Sequence, residues 1–183
     1  MPPKSVRTLR DLIYWQYAKI ISESAGFGKG NYGFIMDRWK KLKSGEIEWS
    51  SSIREWLRER ESPGRCIYCG FEGKLTVDHL IPTSRGGPDH PDNAVMVCGS
   101  CNSRKGDRRL YEFYGLEDRN EVPRIAEGKY LKLLYGELDK RGLLDEGRES
   151  IRKLCSRCDL GENCPKAEEL TVYCLEGIFR KSN

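Results

Sequence analysis

The sequence has no apolar run of bilayer length, and its opening residues, MPPKSVRTLRDLIYW, return to charge before a signal-peptide hydrophobic region could form. Neither a membrane span nor export is expected, and the chain is read as intracellular and cytoplasmic. Histidine is scarce: the chain has two, so imidazole chemistry can fall only to His79 or His90. Hydrophobic residues make up 38% against 33% charged, which predicts a core that is small for the chain length. Internal repeats and low-complexity tracts are also missing, which excludes solenoids and biased tails.

Cysteine, by contrast, is plentiful at eight residues. A disulfide framework would call for an oxidising compartment, which the missing export signal argues against. The cysteines fall into two sets of four, Cys66, Cys69, Cys98 and Cys101, then Cys155, Cys158, Cys164 and Cys174. Grouping of this kind favours metal sites.

The net charge of +4 is uneven, with residues 1–61 carrying 12 Lys and Arg against 8 Asp and Glu. This half is the expected side for a phosphate-bearing partner. Leu9, Leu12, Ile13, Ile20 and Ile21 recur at helical spacing, with Arg10, Asp11 and Lys19 off the stripe, so an amphipathic helix is expected there. The glycines at 26, 28, 30 and 33 follow no strand and precede no Lys-Ser/Thr pair, so a helix-to-helix loop is preferred to a phosphate cradle. Phe34 to Leu42 leads into the basic run from Arg38 to Lys43, in which Arg38, Lys40 and Lys41 are candidate DNA contacts. Ser52 and Glu55 form a capping box for a further helix, which Pro63 and Gly64 break. Trp39, Trp49 and Trp56 are expected to pack, although basic residues interleaved with aromatics could also follow a nucleic-acid backbone. Beyond the central motif, a packing helix is expected from Pro123 through Ile125, Leu131, Leu134, Tyr135 and Leu138, closed by Gly142.

The segments CIYCG at 66–70 and CGSCN at 98–102 give C-x2-C twice, the spacing with which two turns present four thiolates to one tetrahedral zinc. Four thiolates fill the shell, so this ion is expected to be structural. Between the pairs, Leu75, Thr76 and Val77 read as a strand ending at Asp78-His79. Pro82, Gly86, Gly87, Pro88 and Pro91 read as an ordered loop, and Ala94 to Val97 as a second strand. From Cys98 a turn enters a helix bearing Asn102 and Lys105.

Over residues 66–106 the run of C-x2-C, Asp-His, Pro, Gly-Gly, Asn, C-x2-C-Asn and Lys resembles the HNH endonucleases in their cysteine-flanked form, with Asn102 at the third signature position. The resemblance implies a ββα-metal fold, one catalytic divalent ion and cleavage of DNA. The chemistry suits the residue types. A phosphodiester offers no acidic proton, so water must be deprotonated and charge on the phosphoryl and leaving oxygens offset. His79 is the candidate general base. Asp78 and Asn102 offer oxygen ligands for Mg²⁺ or Mn²⁺, Asn93 can orient the loop that holds His79 and fix its tautomer, and Arg85 and Lys105 are candidate phosphate contacts. His90 reads as a solvent-facing loop residue.

The second set, C-x2-C-x5-C-x9-C with Pro165 after the third cysteine, is compatible with either a [4Fe–4S] cluster or a second zinc. The expected protein is α+β. Residues 1–62 form a helical DNA-gripping region, 63–110 the zinc-bound ββα core, 111–150 packing helices, and 151–183 a four-Cys metal-binding appendage. It is expected to be a metal-dependent endonuclease acting on double-stranded DNA, the alternative being a non-catalytic zinc module that binds nucleic acid.

Overall fold

The computed structural model describes residues 2–48, 64–160, 163–166 and 168–180. The expected capping box at Ser52 and Glu55, with Trp49, Trp56 and Pro63, lies outside them. The chain divides into two compact units, one made of Met1–Ser51 with Leu134–Ile178, the other of Ser52–Leu133 with Phe179–Asn183. The N-terminal helical region and most of the Cys-rich segment, expected to be separate, therefore fall within one unit.

In the first unit, α1 (Leu9–Ser24) begins where the Thr8 side chain accepts the Asp11 N–H, and α2 (Tyr32–Ser44) where Asn31 caps Phe34. Such caps satisfy amide donors that the first helical turn leaves open. The glycine segment joins the two helices as a loop, and α1 packs on α2. Trp39 is core: it is buried, and its indole N–H donates to the Asp11 carbonyl at 3.0 Å. The stripe expected on α1 is wider than its apolar residues indicate, for Asp11 and Lys19 are buried as well. Its start is held from afar, with Leu9 N–H donating to Glu146 O and Arg10 N–H to Leu144 O, each at 2.8 Å, and with a β-bridge between Thr8 and Gly147.

In the second unit, β1 (Leu75–His79) pairs antiparallel with β2 (Ala94–Cys98), in a register that sets Val77 opposite Met96 and His79 opposite Ala94. The short helix α3 (Gly99–Lys105) follows directly, capped by the Cys98 sulfur, which accepts the Cys101 N–H. The strand, loop, strand, helix order expected from the motif is present. Behind it lie α4 (Leu110–Tyr114) and the start of α5 (Arg124–Lys140). Tyr111 meets Tyr130 edge-on with ring centroids 5.6 Å apart, and its hydroxyl donates to Glu127 Oε1 at 3.0 Å. Buried side chains on α5 include Ala126, Tyr130, Leu131, Leu134 and Leu138, whereas Ile125 and Tyr135, expected on that stripe, are only half-buried.

After α5, the first unit continues with α6 (Ile151–Ser156) and α7 (Tyr173–Glu176). No helix among the described residues is long and apolar enough to cross a membrane.

Candidate metal centre and active site

Cys66 and Cys69 sit on the turn before β1, Cys98 ends β2, and Cys101 lies in the first turn of α3. The turn is tied by Cys66 N–H to Phe71 O at 2.9 Å and Gly70 N–H to Cys66 O at 2.8 Å, and it is joined to β2 by Ile67 N–H to Met96 O at 3.0 Å. All four sulfurs lie within 4.8 Å of one another, and Cys69 Sγ is 3.8 Å from Cys98 Sγ. A tetrahedron with zinc–sulfur bonds of about 2.3 Å has edges of about 3.8 Å, so the donor set fits one zinc ion. Its electrostatics point the same way. Burial alone would push the Cys66 thiol up, but the backbone donors of Cys98, Cys69 and Tyr68 outweigh it and bring the thiol down to about 7. Burial and then the neighbouring thiols push Cys101 up. Four thiolates this close would require a compensating cation, and a zinc ion with four sulfur ligands would have no open position.

Strand alternation sends Asp78 and His79 to opposite faces of β1. Asp78 faces inward, where Tyr68 donates its hydroxyl to Oδ2 at 2.7 Å and Lys105 Nζ donates to Oδ1 at 3.0 Å. Burial, then the Asp78 charge, hold the Tyr68 phenol well above its usual range, so it stays protonated as a donor. Lys105 Nζ also donates to the His79 carbonyl at 2.7 Å. Asn102 donates through Nδ2 to Val77 O at 3.4 Å, which leaves its amide oxygen as the donor suited to a cation. Asp78 offers carboxylate oxygens and Asn102 an amide oxygen, the donor type hard divalent ions take, and Lys105 already shares the Asp78 carboxylate.

The His79 ring faces an open cleft of ≈ 410 Å³, lined also by Val77, Asp89, Met96 and Lys129. Its Nε2 lies 3.3 Å from Asp89 Oδ1. Asp89 had no recognisable signal in the sequence, because an exposed loop carboxylate ten residues away becomes a partner only once the loop closes.

The loop closes through Asn93, which is fully buried. Its Oδ1 accepts the Ile81 N–H at 2.8 Å, and its Nδ2 donates to Ile81 O at 2.8 Å and Pro88 O at 2.9 Å. Asn93 therefore ties the loop through the residues after His79. The ring nitrogen is met by Asp89 instead. Gly87 is needed for the same closure, because a Cβ there would stand 2.0 Å from the Ile81 carbonyl oxygen. Asn93→Ala is expected to destabilise the second unit by about 2–3 kcal/mol, since it strands buried polar groups at Ile81. Urea unfolding followed by fluorescence would measure this, and a loss below 0.5 kcal/mol in about the same units would contradict it.

Two expected phosphate contacts face inward instead. Lys105 is buried against Asp78 and the His79 carbonyl. Arg85 is buried as well, donating through Nε to Asp107 O at 2.7 Å, with Glu112 beside it. Each long side chain finds acceptors within the fold that its local sequence does not reveal. On α2, Arg38 pairs with Asp37 and lies over the Phe34 ring, Lys41 pairs with Glu46 at 3.0 Å, and Lys40 is exposed. His90 is the exposed loop residue expected, its Nδ1 accepting the Asp92 N–H. Cys155, Cys158, Cys164 and Cys174 line a separate pocket in the first unit.

A strand hairpin and a following helix, stapled at one end by four cysteines and carrying a histidine at the strand terminus, define a metal-binding ββα module. Residues 66–108 match the family model of the HNH endonucleases.

Proposed function

We propose that the protein hydrolyses phosphodiester bonds of double-stranded DNA, with His79 as the general base. The observation that carries this reading is the setting of His79: an imidazole facing an open cleft, with Asp89 at its Nε2 and its own backbone carbonyl held by Lys105. With Nε2–H donated to Asp89, the lone pair of the neutral ring is at Nδ1, and this is the nitrogen that takes a proton from the attacking water. Asp89 also stabilises the imidazolium that results, so it acts as a positioning residue. Asn93 and Gly87 keep the loop closed, and with it the distance between Asp89 and the ring.

Mg²⁺ or Mn²⁺ held by Asp78 and Asn102 would offset negative charge on the phosphoryl and leaving oxygens. Lys105 holds one oxygen of Asp78 in place, while Tyr68 holds the second. The basic face of α2, with Lys40 exposed, is the candidate contact to the DNA backbone.

The test is conversion of supercoiled plasmid to nicked or linear product by protein carrying its native metals, with and without added Mg²⁺ or Mn²⁺. Cutting that requires the added ion is the expected result. Salt-sensitive binding of duplex DNA with no cutting under any divalent ion would instead favour a non-catalytic zinc module.

A further inference from the structure

The second cysteine set belongs to a different unit from the HNH domain, and its geometry differs from that of the zinc quartet. Cys155 and Cys158 lie at the end of α6 and just after it, Cys164 follows on the connecting loop, and Cys174 is in α7. All four line one pocket, whose walls include Leu154, Tyr173 and Ile178. Yet among the described residues, the close convergence of donor atoms seen at Cys66, Cys69, Cys98 and Cys101 occurs only there. Four thiolates bound to one ion must crowd together, whereas four thiolates bound to four different metal atoms stand apart around a shared core.

We propose that Cys155, Cys158, Cys164 and Cys174 ligate a [4Fe–4S] cluster that pins the C-terminal segment of the first unit. Three features suit this group. The pocket walls named above are apolar or aromatic, as an inorganic core shielded from water requires. The Thr171 N–H donates to Cys174 Sγ at 3.4 Å, the type of bond that stabilises a cluster-bound thiolate. Lys166 lines the same pocket and would bring a positive charge towards a thiolate-bound cluster of net negative charge, with Glu169 also among the lining residues.

Gly177 ties the two cysteine-bearing turns together. Its carbonyl accepts the Asp159 N–H at 2.8 Å, and a Cβ at this position would lie 2.3 Å from Cys158 Sγ. The thiol of Cys158 can occupy its place only because residue 177 has no side chain. A cluster joining the end of α6 to α7 would then hold two helices of six and four residues, too short to be stable alone.

The proposal is independent of nuclease activity, and its readout is metal content. The full chain, expressed with ample iron and purified without oxygen, should be brown. It should contain about four irons and four acid-labile sulfides beside one zinc per chain, and its visible absorbance should bleach on reduction with dithionite. Cys164→Ser should lose most of the iron and sulfide while keeping the single zinc. Gly177→Ala, which leaves all four ligands in place, should lower the iron content at least twofold by displacing Cys158. Two zincs per chain with no sulfide would overturn the proposal. So would a chain that stays iron-free after anaerobic incubation with ferrous iron, sulfide and thiol, or a Cys164→Ser variant with undiminished iron.

Discussion

His79→Ala should slow DNA cutting by about 10²- to 10⁴-fold while leaving duplex binding within a factor of about two, because a general base acts on the transition state and adds little to ground-state affinity. The ring has few structural duties. The side chain is 28% exposed, and its side-chain partner among the described residues, Asp89, is 93% exposed. The buried contacts at this position run through the His79 backbone carbonyl, which alanine retains. Folding should therefore be preserved, and single-turnover cleavage beside a gel-shift titration would separate the two effects. His90→Ala provides the control, since that histidine lies in the exposed loop and only caps a short turn. Wild-type cutting by His79→Ala would exclude His79 as the base. A parallel loss of binding and cutting would assign it to substrate contact.

Removing a zinc ion from the site formed by Cys66, Cys69, Cys98 and Cys101 should have a larger effect on folding. The hairpin has two strands of five residues, and α3 has seven, so these elements bury little apolar surface of their own. Two-stranded hairpins and short helices are marginal in water, and structural zinc in small peptides contributes on the order of 10 kcal/mol. Cys66→Ser or Cys98→Ser is expected to unfold the second unit and to abolish cutting through loss of structure. Zinc analysis with circular dichroism distinguishes this from the His79 variant, which should keep one zinc and a native spectrum. A zinc-free Cys66→Ser protein with a cooperative transition at the wild-type temperature would refute the structural role.

What could be read directly from the sequence is what depends on short spacing. Two C-x2-C turns place four thiolates, and the strand at Leu75–Val77, the Pro- and Gly-rich loop, the strand at Ala94–Val97 and the helix bearing Asn102 and Lys105 follow in the order expected. These relations follow from backbone periods and hold wherever the segment sits. The direction of a long charged side chain does not, and so Lys105 and Arg85 could be expected as outward cations although each finds acceptors inside the fold. Asp89 becomes the partner of His79 only through a loop that Asn93 and Gly87 close. Likewise, the backbone bonds from the start of α1 to residues 144–147 unite segments more than a hundred positions apart. The sequence by itself determined which residues can bind metal and take up a proton, because those abilities belong to side-chain type and local spacing. Only the tertiary structure decided which charges are spent internally and which segments share a core, because both depend on groups that meet only after distant chain segments pack together.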